Sequence, residues 1–281
     1  MSSAPVNDTP RRSLPVLLLD RWIDFWAEVF GLVGALYWLC RDTLEWFWRG
    51  FIRREVRLGF GAINAQIVRV GVRSIAIVML VSSSIGIILA LQTSPTLEQY
   101  GQTDKVANLI SVSVFRELGP LVAAIVMVGF AGASIAAELG TMVVGEEVEA
   151  LEAMGLNPVR YLVLPRLAAT VVSLLALSVI SDLTSVFAGM VVSISVLGIP
   201  YDLYVSNTIN QLKMSDFTTG MLKAGVFGLL LGLIACYNGL RVTGGAAGVG
   251  RATTETVVQT VIFVILSDLL FSTLFYALGW N

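Results

Sequence analysis

The chain has 281 residues, 56% of them hydrophobic and only 14% charged, whereas an average soluble domain carries about 25% charged residues. With a mean hydropathy of +0.81, it reads as an all-α integral membrane protein without a sizeable water-soluble domain. Its 18 basic and 20 acidic residues nearly cancel, which gives nucleic-acid binding no support. The absence of histidine removes the commonest general base and the commonest transition-metal ligand.

Residues 1–70 read as a cytoplasmic, interfacial helical region and residues 71–281 as a five-span membrane domain. Arginines are spread through the first region, and its apolar run 31–40 is too short to span, so it is not a cleavable signal. Trp22, Phe25, Trp26, Phe30, Val33 and Tyr37 share one helical face, with Asp20, Arg21, Asp24 and Glu28 around the other. Leu44, Phe47 and Phe51 continue the stripe, and Arg49, Arg53 and Arg54 are placed for phospholipid headgroups. This pattern predicts one or two amphipathic helices lying in the interface. A sixth span over 25–40 would bury Glu28 in lipid.

Four segments, 74–94, 118–137, 221–240 and 256–279, reach the length of about 20 apolar residues that a span needs. A fifth, 162–197, is too short for two spans and a turn, and predicts one long or tilted helix. Residues 106–115 extend the second span, with Gly119-Pro120 as a local break. The first span has small residues at Ser82, Ser83, Ser84 and Gly86, then Leu89 and Gln92, a pattern suited to the edge of a cavity. Gly129, Gly132, Ala133 and Ala136 in the second span, and Gly228 and Gly232 in the fourth, predict close helix packing.

Arginines fix the orientation. Arg11, Arg12, Arg21, Arg41, Arg49, Arg53, Arg54, Arg57, Arg69 and Arg73 precede the first span. Arg160 and Arg166 lie between spans two and three, and Arg241 and Arg251 between four and five. The other two loops set Lys105 and Lys213 beside Glu98, Asp104, Asp202 and Asp216. The positive-inside rule then puts the N-terminus in the cytoplasm and the C-terminus outside.

Charged groups within the spans each cost about 2.5–3.5 kcal/mol if unpaired. Arg116 and Glu117 sit together, Lys223 lies near the outer end of the fourth span, Asp182 is in the third and Asp268 is midway along the fifth. Glu117 and Lys223 fall at similar depth, where pairing would relieve both. Asp182 and Asp268 read as structural intramembrane charges. Arg116, Glu117 and Lys223 suit either bundle-holding ion pairs or a polar cluster gripping a lipid headgroup.

Between spans two and three, Glu146, Glu149 and Glu152 recur every three residues, as do Val148, Leu151 and Met154. On a helix these make an acidic and an apolar stripe, with Gly155 as C-terminal cap and Asn157-Pro158 as stop. A short two-faced helix pinned between spans suits docking to a soluble partner. The later run from Gly244 to Arg251 is not a nucleotide loop, because a P-loop follows a strand and continues Gly-Lys-Ser/Thr. It reads as a flexible turn, with Thr253 or Thr254 capping the last span. No residue set here could hydrolyse ATP or hold a metal.

Three segments carry a resemblance: Arg116-Glu117-Leu118-Gly119-Pro120, the stretch 131–140 (AGASIAAELG), and 147–154 (EVEALEAM) leading to Leu164-Pro165-Arg166. Together with Asn238-Gly239 and 248–254 (GVGRATT), in this order over 69–279, they resemble the MlaE family of ABC-transporter permeases. The resemblance implies a non-catalytic permease subunit, forming a homodimer in the cell inner membrane, of a phospholipid transport complex that maintains outer-membrane lipid asymmetry. It implies a cytoplasmic MlaF-like ABC ATPase that binds the ATP, so that this chain needs no cofactor, and in some members an MlaB-like STAS-domain protein. It further implies a periplasmic MlaD-like MCE-domain hexamer. On this pattern Arg116, Glu117 and Lys223 are headgroup-side residues, and Leu89, Gln92 and Tyr100 line the acyl-chain pocket. Glu146, Glu147, Glu149, Leu151, Glu152 and Met154 couple to the ATPase. Two other classes remain open at this point: a secondary carrier for a small solute, which would show repeats with broken helices, and a non-transporting membrane scaffold.

Overall fold

A computed structural model describes residues 14–51 and 60–279, which are helical with no strand among them. The helices are α1 (Leu14–Phe51), α2 (Phe60–Val70), α3 (Ile75–Gln99), α4 (Val106–Ser113), α5 (Gly119–Met127), α6 (Ala133–Val144), α7 (Glu147–Ala153), α8 (Leu164–Ser195), α9 (Tyr201–Gln211), α10 (Met214–Leu240) and α11 (Gly245–Ala277). Five stretches among the described residues are long and apolar enough to cross a membrane: Gly61–Gln99, Thr103–Val144, Val159–Ser195, Met214–Leu240 and Gly245–Ala277. One end of the bundle therefore carries α7 and the other α9.

At 1.5 Å per residue, α8 is about 48 Å long, well over the ~30 Å hydrocarbon core. The expected long third span is one unbroken helix. It is also the hub of the bundle, packing on α2, α3, α5 and α10. Polar groups fasten α3 to it: the Ser82 and Ser181 hydroxyls lie 2.7 Å apart and Ser185 donates to the Ser82 carbonyl at 2.8 Å. Small hydroxyl residues of this kind supply close contact where lipid provides no hydrophobic drive between helices. The main core joins Val78, Met127, Ile135, Leu139, Leu174, Leu177, Phe227 and Leu231.

The second span is interrupted twice by π-helical turns, at Val114–Leu118 and Val128–Gly132. The break expected at Gly119-Pro120 thus takes the form of one extra residue per turn immediately before Pro120, which lacks the donor for a regular ladder. Of the small-residue motifs, Gly228 and Gly232 press on α8, where an added Cβ at Gly228 would lie 2.8 Å from the Val171 Cα. Gly129 instead faces open space, so its presumed packing role has no contact here.

The expected stripe falls on one helix, α1, and α2 follows it within the first 70 residues. The packed face of α1 is Leu32, Leu36, Leu39 and Cys40 against Leu167, Leu233 and Ile234, while Phe30, Val33, Tyr37, Leu44 and Phe47 of the expected stripe are exposed. Over residues 30–40, apolar side chains therefore lie both on the packed face and among the exposed residues. Arg160 reaches Trp46 (5.7 Å to the ring centroid) and ties α1 to the start of the third span. Arg11, Arg12, Arg53, Arg54 and Arg57 lie outside the described residues, as do the side chains of Asp20, Arg21, Trp22, Asp24, Phe25, Trp26, Glu28 and Phe51.

The glycine-rich run departs from expectation. α11 begins at Gly245, so most of the run is helix rather than flexible turn. Thr253 and Thr254 are inside that helix and donate back to the Gly250 carbonyl instead of capping it. Gly244, at φ +84, makes the turn.

Candidate functional site

The π turn Val114–Leu118 decides where the two adjacent charges of the second span point. Arg116 reaches toward the start of α10, where its Nε lies 2.5 Å from Asp216 Oδ1. Asp216 is itself buried and accepts at 2.9 Å from the Lys213 backbone, closing a capping box on α10. Glu117 turns the other way, to Lys223, two turns deeper on α10. Close approach of the two spans requires Gly220, since a Cβ there would stand 2.1 Å from the Phe115 carbonyl oxygen.

Lys223 is only 1% exposed. Its ammonium donates to Glu117 Oε2 at 2.5 Å and to Ser272 Oγ at 2.8 Å, and makes an ion contact at 2.9 Å with Asp268 Oδ1. Ser272 donates in turn to Glu117 Oε1 at 2.5 Å. Spans two, four and five therefore meet at one cation. The Asp268 contact lacks hydrogen-bond alignment, leaving Oδ1 without a hydrogen-bond partner, so it is the looser arm. Lys223 lies about 14 Å along α10 from its start, and Asp268 about 14 Å from the end of α11. Both place the cluster below the α9-side boundary, inside the apolar layer. Lys223 is buried, with two donors committed to Glu117 and Ser272 and its charge shared with Asp268, while the Glu117 side chain is 38% and that of Arg116 26% exposed. A ligand would touch those two, not the lysine.

At the opposite end, Glu138 of α6 joins Arg69 of α2 at 2.7 Å and the buried Arg166 of α8 at 3.1 Å. Beside this joint lies α7. Val148 and Leu151 pack on the main core, and Glu147, Glu149 and Glu152 face outward. The expected two-faced helix is present, with two differences. Met154 is 65% exposed and so does not extend the anchored stripe. Glu146 precedes the helix in a left-handed conformation at φ 59. Gly155, at φ +74, ends it as the sequence predicted, and Asn157 Oδ1 accepts from Val159 N at 2.9 Å to start the next helix.

Residues 63–274 match the family described as Permease MlaE. This chain belongs to the MlaE permease family. A probable ABC transporter permease protein of Rickettsia felis is 36% identical over 76% of this chain and 83% of its own. One from Synechocystis is 33% identical over 75% and 80%. The chloroplastic protein TRIGALACTOSYLDIACYLGLYCEROL 1 of Arabidopsis thaliana is 30% identical over 75% of this chain and 60% of its own.

In this permease, then, Arg116, Glu117 and Lys223 are brought to one region, and Asp268 joins them although the sequence offered it as a separate structural charge. Asp182 stays apart: its Oδ1 has no hydrogen-bond partner and would lie 1.6 Å from a Cβ at Gly119, so only glycine fits there. Leu89 packs with Val106, Ile110 and Tyr204, while Gln92 and Tyr100 are exposed; none of the three takes part in the Lys223 cluster. Asp216 was read only as a charge of an outer loop, whereas it is buried in the first turn of α10, and Ser272 was not singled out in the sequence. The signal for Asp216 was its place three residues after a helix start; Ser272 had only its spacing of one turn from Asp268.

Proposed function

We propose that this permease is the lipid-conducting subunit of an ATP-driven phospholipid transporter, working as a homodimer in a bacterial inner membrane. Its α7 end faces the cytoplasm, as the arginine distribution favours, and receives an ABC ATPase, assisted in some assemblies by a STAS-domain protein. The α9 end faces a periplasmic MCE-domain hexamer. The name of the chloroplast relative, built on a galactolipid, supports a lipid as cargo.

The observation that carries the reading is the Lys223 hub: an ammonium shared by two carboxylates and a hydroxyl inside the membrane-spanning bundle. Intramembrane charge marks a substrate path by default. Acyl chains leaving the bilayer for an apolar cavity change environment little, so discrimination falls to the headgroup. Arg116 offers a cation for phosphate and Glu117 an acceptor for an ammonium headgroup, while Lys223 fixes Glu117 in place. Leu89, Gln92 and Tyr100 would border the chains across the dimer. Direction comes from ATP-driven closure delivered through α7, with Glu147, Glu149 and Glu152 gripping the ATPase, Glu146 and Met154 at its edges, and Leu151 anchoring the lever.

The test is fluorescent-phospholipid transfer from proteoliposomes holding the full complex. Glu117→Gln with Arg116→Ala is expected to slow ATP-dependent transfer at least tenfold while the complex stays assembled. Undiminished transfer in that variant, or wild-type transfer that proceeds equally without ATP, would overturn the reading.

A further inference from the structure

The glycine-rich turn between the last two spans has no role in the cargo path, yet it builds a second site. A cavity of about 980 Å³ lies between α1, the end of α10 and the first half of α11, at the upper end of ligand-pocket sizes. Gly248 makes the fold-back possible, since a Cβ there would meet the Thr243 carbonyl oxygen at 1.9 Å. The tight turn brings Arg241 and Arg251 to one rim of this cavity. Arg241 is held in place over the Tyr237 ring (5.0 Å to the centroid) and donates to the Tyr237 hydroxyl. Arg251 and Glu255 are one helical turn apart, yet neither has an ion-pair partner among the described residues.

The lining is graded along the helix. From Gly248 to Leu266, about 27 Å of α11, the wall runs from Arg251, Glu255 and Gln259 to Ile262, Phe263 and Leu266, faced by Leu32 and Ala35 of α1. Two arginines against one glutamate leave the polar rim with one positive charge in excess, the complement of a single phosphodiester. We propose that this groove binds a glycerophospholipid of the leaflet on the α7 side, its phosphate between Arg241 and Arg251 and an acyl chain along Leu32, Ile262 and Leu266. The lipid would bridge α1 to the last two spans, reinforcing the contact of its Leu32–Cys40 face with the bundle. The site depends on membrane insertion alone and is separate from the Lys223 cluster, which lies toward the other end of the same helices.

The experiment uses the full complex in bilayers containing phosphatidylglycerol with a photoactivatable acyl chain, or diacylglycerol with the same chain. Labelling of 262–266 is read by mass spectrometry relative to the exposed Leu269 and Leu270. The expected result is at least fivefold more groove labelling by the phospholipid. Arg241→Ala with Arg251→Ala should bring it down to the diacylglycerol level, and the double lysine variant, a check on folding, should retain it. Equal labelling by the two lipids, or undiminished labelling in the alanine variant, refutes the site. So does a photoreactive residue at Ile262 that captures a second copy of the chain, which would make the groove a subunit interface. Lipid transfer is measured in parallel: no preference for the phospholipid in the unmutated complex with intact ATP-dependent transfer sinks this site alone, and ATP-independent transfer with intact labelling sinks only the function proposed above.

Discussion

Replacing Lys223 by Met isolates what the charge hub is worth. The substitution keeps the length of the stem but leaves Glu117 and Asp268 facing each other with no cation between them, and Ser272 Oγ without the donor it accepts from. Removing one partner of a buried pair costs about 3–5 kcal/mol, because the uncompensated charge stays behind. The half-exposed flank of Glu117 lets water screen that carboxylate, so the lower end, about 3 kcal/mol, is expected here. The triple variant Lys223→Met, Glu117→Gln, Asp268→Asn removes all three charges, and neutral replacements of a whole buried network are often tolerated. It should recover stability to within about 1 kcal/mol of the parent. Equilibrium unfolding of the purified complex in mixed micelles gives the differences, and fluorescent-lipid transfer is measured on the same preparations. Transfer should stay lost in the triple variant, separating a functional hub from a structural one. A single variant as stable as the parent, or a triple variant that transports normally, refutes the argument.

Gly220→Ala should destabilise by about 1–3 kcal/mol through the clash with the Phe115 carbonyl, whereas Gly129→Ala, facing open space, should be neutral or gain up to about 1 kcal/mol of helix propensity; thermal unfolding of both tests the pair. Glu149→Lys with Glu152→Lys should abolish co-purification with the ATPase while the monodisperse elution of the permease is unchanged, because both side chains face outward. Tyr204, buried at the α9 end and donating to the Val186 carbonyl at 3.4 Å, has its hydroxyl pushed up by burial to about 12. The folded state then holds its proton longer than the unfolded chain does, so stability present below pH 10 is lost as the pH rises toward 12, by roughly 3 kcal/mol at most. Tyr204→Phe should flatten that limb of a stability–pH curve.

The spans were legible because their signal is length and apolarity, properties that survive without knowledge of neighbours. The pairing of Glu117 with Lys223 was also legible, since two charges at one depth in lipid have few alternatives. What the sequence hid were features set by phase. Residues 106–137 scan as one apolar stretch with a suspected break, and nothing in it announces that turns of i→i−5 type will send Arg116 and Glu117 to different partners. The stripe on α1 misled for a related reason: Trp, Phe and Tyr mark an apolar face, but the slimmer Leu32–Leu36–Leu39 face packs more closely on α8 and α10, and took the bundle side. The glycine run scanned as flexible on composition. Propensity is a weak prior, and here Gly248 packs tightly on the Val242-Thr243 turn while Ala252 is buried, within a segment that is helix.

Span two is the element on which both halves of the mechanism converge. Its first π turn carries Arg116 and Glu117, and about 40 Å of helix runs from Glu117 through Glu138 to Val144, where the turn at Gly145-Glu146 leads into α7. A regular helix of that length would pass on force as a rod but could not alter its own register. A π turn holds one residue more than the ladder needs and can release it, rotating everything beyond by about 100°, the angle of one residue at 3.6 per turn. The second π turn, Val128–Gly132, stands between the lever and the charge cluster, with the exposed Gly129 inside it. In the coupling proposed above, force applied to α7 would reach Glu117 through this turn, and release of its extra residue would turn Glu117 relative to Lys223. The Glu138 joint to Arg69 and Arg166 keeps the lever end of that helix from yielding instead.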